Sequence, residues 1–154
     1  MADRNVLGGV APGSTLKPLI TLAGLDSGLR TPDDKVLSTG EFRIGGQKRG
    51  YRDSHRGGHG WTDARKAIGD SVNTYYYRLS LDMGIRQFDE YLSLYGFGAP
   101  TGIDLAGETG GILPSPAWKR SAGRDDGSRT GGARAAFASS MTTPITRPRS
   151  PPCS

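Results

Sequence analysis

Six apolar side chains crowd the stretch from Ser14 to Ser27: Leu16, Leu19, Ile20, Leu22, Ala23 and Leu25. On a helix they occupy too many positions for one narrow stripe, so the helix must be covered on most sides. The rest of the chain therefore has to supply that cover. Pro18 is compatible with this helix, because near the first turn a missing N–H removes a group with no intrahelical partner. Gly28 is a natural stop.

The 154 residues suffice for one domain. No apolar run approaches the roughly 20 residues of a membrane span, and no signal-peptide pattern opens the chain. A single cysteine, Cys153, excludes a disulfide framework and a cysteine-based zinc site. The net charge of +5 is unevenly placed: Arg120–Ser154 carries six arginines and two aspartates, leaving the main body almost neutral. A solvated basic tail accounts for that excess, and no nucleic-acid partner is expected.

Lys35–Leu37 and Glu41–Ile44 read as short strands, and the polar, glycine-marked Gln47–Gly60 as a loop. Trp61–Gly69 reads as a short helix with Thr62 as N-cap and Asp63 at the positive end of its dipole. Thr74–Met83 should be helical, with Tyr76, Leu79 and Met83 on one face and Tyr75 beside them. Gly84 interrupts it before a second amphipathic stretch, Ile85–Tyr95, stopped by Gly96. Turns follow, with Ile103–Leu105 as a short extended segment. From about Ser121 the large apolar residues reduce to Phe137, Met141 and Ile145, which predicts a disordered tail.

Two small motifs carry chemistry. Ser14 and Lys17, three residues apart at a helix start, share a face. A serine hydroxyl needs a base to become a nucleophile, and a desolvated lysine can lose its own proton near neutral pH and act as one. The helix N-terminus adds partial positive charge where an oxyanion would form. The alternative for these two residues is a capping serine and a surface lysine. Ser71-Val72-Asn73 lies between two helices. There a hydroxyl can pass a proton and an amide can pair with a peptide substrate; cap and turn duty is the alternative.

Ser-x-x-Lys followed by Ser-x-Asn is the order used by penicillin-recognising serine enzymes. The segments GGVAPGSTLKPLITLAGLDSG, GQKRGYRDSHRGGHGW, SVNTYYYRLSLDMGI and YGFGAPTGIDLAGETGGILPSPAWK resemble the transpeptidase domain of the penicillin-binding protein 2 family. These are the cross-linking enzymes of cell-wall elongation. The resemblance runs from about Arg4 to Arg120. It implies an α+β fold of the penicillin-binding transpeptidase and serine β-lactamase type. This chain would hold its mainly helical part with short strands, the central sheet largely missing. Residues 1–120 would be a partial transpeptidase domain and 121–154 a tail outside the family.

Carried over residue by residue, Ser14 matches the acylated nucleophile and Lys17 its general base. Ser71 matches the proton-shuttling hydroxyl and Asn73 the partner of the substrate amide. The implied reaction is acyl transfer from a D-Ala-D-Ala stem peptide. Stem peptides, β-lactams and cell-wall elongation proteins are the implied partners, with no cofactor. The implied location is the periplasmic face of the bacterial inner membrane.

Members of this family can also carry a metal site built from two aspartates, a histidine and a cysteine. Asp53 and His59 match two of those ligands, while Ser38 and Val72 stand at the other two positions. Two ligands fall short of the four of a structural zinc, so local hydrogen bonding is the expected role of both. His55 has no assigned role. No Lys-Thr-Gly triplet occurs, although in the family that strand binds the substrate carboxylate. The sequence therefore leaves two readings: a transpeptidase by descent that acylates poorly or not at all as this piece, or a non-catalytic binding fragment keeping the helical part.

Overall fold

The computed structural model describes residues 11–46, 48, 50–104 and 106–115. A 3-10 turn, Gly13–Leu16, runs directly into α1, Lys17–Asp26, with Pro18 in the first turn where it removes no helical bond. Four three-residue strands follow: β1 Val36–Ser38, β2 Glu41–Arg43, β3 Gly50–Arg52 and β4 Gly60–Thr62. Two helices complete the order, α2 Ala64–Gly69 and α3 Asn73–Leu94. The strands form two separate antiparallel ladders, β1 with β4 and β2 with β3. The described part is thus mainly helical, with short strand pairs.

The core forms between α1 and the first half of α3. Ile20 and Ala23 are buried on α1, and Tyr75, Tyr76, Leu79 and Met83 on α3. The two helices approach closely at Gly24, where a Cβ would lie 2.8 Å from Leu79 Cδ1. The cover expected around α1 is present on this side. On the other, Leu22 is 51 % exposed and Leu19 and Leu25 are half-buried among the described residues.

The α3 helix is broken where the sequence interrupts it: Gly84 takes φ +73°, ψ +166°, outside helical space.

Two elements differ from the sequence reading. The stretch expected as a loop holds β3, and β4 starts at its end. Tyr51 pairs with Phe42 across the β2–β3 hairpin, and both rings pack on Tyr77, at 5.5 and 5.7 Å between centroids. Burying an aromatic pair fixes a strand that local composition hides. Thr62 does not cap a helix; it is buried in β4, opposite Val36. Asp63 is the cap instead, its carboxylate accepting from Lys66 N at 2.9 Å, so α2 starts later than expected. Ile103 and Asp104 lie in no strand. Leu105 and the tail from Ser121 lie outside the described residues.

The turn after β1 and the loop before β4 are locked together through glycines. Gly58 has φ +77°, and a Cβ there would sit 2.2 Å from Ser38 O and 2.5 Å from Gly40 N. Both are backbone atoms that cannot swing aside. Gly58→Ala is therefore expected to lower stability by at least about 1–3 kcal/mol, from strain at positive φ before the clash is counted. The urea midpoint measures it, and an unchanged midpoint would refute the packing described here.

Candidate active site

Lys17, the first residue of α1, is 2 % exposed. Its ammonium lies 2.6 Å from Ser71 O, 2.6 Å from Asn73 Oδ1 and 2.8 Å from Ser71 Oγ. The Tyr76 ring centroid is 5.3 Å away. Burial pulls the Lys17 pKa down to about 8, against the opposing pull of the Asp53 charge. A second layer supports the lysine. Thr21 Oγ1 donates to Lys17 O at 2.9 Å, which commits its proton, so Tyr76 OH donates to Thr21 Oγ1, also at 2.9 Å. Burial raises the Tyr76 pKa to about 12, keeping it a neutral donor.

Ser71 sits in the turn between α2 and α3 with φ +54°, the one left-handed non-glycine residue described. Such a conformation is uncommon for a residue with a Cβ. It survives here because its surroundings hold it: Lys17 grips both its carbonyl and its hydroxyl, and Val72 N donates to Ala67 O at 3.0 Å. The Ser71 hydroxyl reaches Ser14 Oγ at 3.1 Å. Ser14 is exposed in the 3-10 turn before α1. Hydrogen bonds thus run from the buried amine, through Ser71, to an accessible hydroxyl.

Asn73 opens α3. Its Oδ1 accepts from Lys17, and its Nδ2 donates to Arg52 O at 3.3 Å. Its backbone N–H donates to Asp53 Oδ1 at 2.6 Å. The same carboxylate accepts from Thr74 N at 3.2 Å and Ser38 Oγ at 2.8 Å. Burial works to raise the Asp53 pKa, but the hydrogen bonds from Thr74, Ser38 and Asn73 outweigh it and hold the group below the usual carboxylate range.

All four residues singled out in the sequence, Ser14, Lys17, Ser71 and Asn73, meet in this network. The supporting Thr21, Tyr76 and Arg52 carbonyl carry no sequence signal that separates them from ordinary helix and loop residues.

The residues at the implied metal positions do not fit a metal. Both Asp53 oxygens are taken by the donors just named. The Ser38 hydroxyl accepts from His59 N at 3.0 Å, and Val72 is a fully buried apolar side chain. The His59 ring turns elsewhere: Nε2 meets Ser54 Oγ at 3.1 Å, and Nδ1 lies 3.9 Å from Asp70 Oδ2. The His55 ring lies beside it, 5.9 Å between centroids. Among the described residues no three His, Cys, Asp or Glu side chains gather as a ligand set.

Residues 1–145 match the family described as the penicillin binding protein transpeptidase domain. The chain belongs to this family. Among curated penicillin-binding transpeptidases, it is 40 % identical over 120 residues to peptidoglycan D,D-transpeptidase MrdA of Salmonella typhimurium, covering 78 % of this chain and 19 % of that protein. To MrdA of Acinetobacter baumannii it is 38 % identical over 117 residues, covering 76 % and 17 %. Among solved structures it resembles Pseudomonas aeruginosa PBP2, at 38 % identity and a TM-score of 0.71, covering 78 % of this chain and 27 % of that one. Helicobacter pylori PBP2, solved in complex with MreC, gives 30 % identity and a TM-score of 0.76 over 89 % and 25 %. The chain spans about a fifth of the length of the curated relatives it matches. Among its described residues no helix is long and apolar enough to cross a membrane.

Proposed function

We propose that this chain carries the acyl-transfer centre of a peptidoglycan D,D-transpeptidase, with Ser14 as nucleophile, Lys17 as base and Ser71 as relay. The observation that carries the reading is the environment of the Lys17 amine. Two of its three partners, Ser71 O and Asn73 Oδ1, are carbonyl oxygens, which can only accept. A neutral amine has two N–H bonds and one lone pair. The protonated amine gives its third N–H to Ser71 Oγ; once that proton is lost and both remaining N–H bonds are committed to the carbonyls, the lone pair is left facing the same hydroxyl.

Proton flow follows from that direction. The Ser71 hydroxyl gives its proton to Lys17 Nζ and takes the proton of Ser14. Ser14 Oγ then bonds to the carbonyl carbon of the penultimate D-Ala. The scissile C–N bond breaks, and the leaving D-Ala amine takes the proton back from Lys17 through Ser71. An acceptor amine attacks the resulting ester, forms the new amide and returns a proton to Ser14. A β-lactam enters the same first step, but its opened ring stays on the serine. Asn73 Nδ2 is the group suited to the donor peptide's carbonyl.

This reaction would cross-link stem peptides on the periplasmic face of the inner membrane during elongation. The MreC-bound Helicobacter relative supports an elongation-protein partner.

Incubation with a fluorescent penicillin should place the label on Ser14, as mapped by mass spectrometry of the digest. Label on another serine, with Ser14 clean, would sink the assignment.

A further inference from the structure

Asp53 lies off the path from Lys17 to Ser14, yet the turn that builds that path hangs on it. The α3 helix starts after Val72, whose side chain caps nothing. The first N–H groups of a helix have no intrahelical partner, and here Asp53 satisfies two of them from another element, at Asn73 and Thr74. Asp53 is itself fixed from behind. Its backbone N–H donates to Gly40 O at 3.0 Å, and Ser38 Oγ, which accepts from His59 N, donates to its carboxylate.

We infer that Asp53 is the positioning residue of the site: through Asn73 it holds the carbonyl that orients the Lys17 amine, without touching substrate. The inference rests on the function proposed above. The bonds run from the β1–β2 turn to Asp53, from Asp53 to the Asn73 backbone, and from the Asn73 amide oxygen to Lys17. A carboxylate at a helix N-terminus is favourable on electrostatic grounds as well. The staple ties β1, the loop before β4 and the start of α3 with hydrogen bonds alone. These are the segments that the metal ligand set implied by the resemblance would join.

Asp53→Asn keeps the side-chain shape but leaves one oxygen acceptor where three donors converge. Loss of about an ångström of alignment costs on the order of 10²-fold in rate, so the plateau rate of acylation by a fluorescent penicillin should fall by about that factor. Among the described residues, the charged and titratable groups facing the Lys17 amine are Asp53 and the Tyr76 phenol. Without the Asp53 charge the amine loses a proton more readily, so the acid limb of the rate profile should move to lower pH. A carboxylate with a merely structural role would lower the plateau only by reducing the folded fraction; a plateau rate per folded molecule equal to that of the native chain overturns the inference.

Amide hydrogen exchange supplies a readout independent of activity. In Asp53→Asn and in the milder Ser38→Ala, the Asn73 and Thr74 amides should lose protection while those of Leu79 and Ser80 keep it. Retained protection at 73 and 74 would overturn the inference even if no acylation were detected. An unlabelled Ser14 combined with lost protection would remove the proposed function and leave the staple standing. Zinc or a chelator should leave the thermal midpoint of the native chain unchanged, and a metal-dependent midpoint would contradict a staple made of hydrogen bonds.

Discussion

Lys17→Met is expected to lose about 10²- to 10⁴-fold of the acylation rate, the range a positioned general base contributes. Methionine fills much the same volume but has no lone pair that can take a proton from Ser71. The loss should come with a change in pH dependence. In the proposed reaction the base is the neutral amine, whose fraction rises with pH and reaches half at about 8. The rate should therefore climb through neutral pH to a plateau above that value, and the residual rate of Lys17→Met should not climb. The same shift has a sign for stability. Between about 8 and the ordinary lysine value of 10.5 the unfolded chain holds a proton that the folded chain has released, so stability rises with pH across that window. Rates of penicillin labelling from pH 5 to 10, with circular dichroism to count folded protein, test both points. A Lys17→Met chain that keeps the rising limb would place the base elsewhere.

The second large effect concerns the seam between α1 and α3. Leu79 is fully buried against Gly24. Leu79→Ala should cost about 2–5 kcal/mol, the transfer loss plus the cavity left behind. Against a total stability of about 5–15 kcal/mol, that can leave a large share of the molecules unfolded. Gly24→Ala attacks the same contact from the other side. Its new methyl would lie 2.8 and 2.9 Å from the two Leu79 methyls, and a fully buried leucine has nowhere to turn. Overpacking of this kind costs about 1–3 kcal/mol. Together the substitutions should cost less than their sum, because the methyl at 24 occupies space that the shortened residue 79 gives up. Coupling between touching residues is commonly about 0.5–3 kcal/mol. Urea denaturation of the four chains, at constant slope, reads the coupling directly. Strict additivity would mean that the two residues do not meet.

Legibility in the sequence followed the range of the forces involved. The α1 helix and the break at Gly84 are local matters of apolar spacing and a missing Cβ, and both are legible residue by residue; β1 starts and ends one residue later than the Lys35–Leu37 that local composition suggests. The β3 strand is not legible in this way. Gly50-Tyr51-Arg52 has too few residues to show alternation, and what fixes it is Phe42 on one side and Tyr77 on the other. For the same reason the burial of Tyr77 beside Tyr75 and Tyr76 is not legible: the β3 half of the hairpin that covers its face has loop composition. Thr62 and Asp63 are both good caps by composition, and pairing of Thr62 with Val36 across β1–β4 decides between them.

The site divided in the same way. Ser14, Lys17, Ser71 and Asn73 stood out because their spacing is a motif. Thr21, Tyr76 and Ser38 act through contacts between residues 15 to 55 positions apart in the chain, which no local pattern encodes.

The left-handed backbone at Ser71 restricts the alphabet available there. The proton relay proposed above needs a hydroxyl, and a short one, to lie between Lys17 Nζ and Ser14 Oγ. Glycine would suit φ +54° but brings no hydroxyl, and asparagine tolerates the angle but presents an amide. Threonine has the hydroxyl, yet a β-branched residue at positive φ is a genuine outlier. Of the two aliphatic alcohols only serine meets both demands, so the exchange usually counted as conservative is the one this backbone resists.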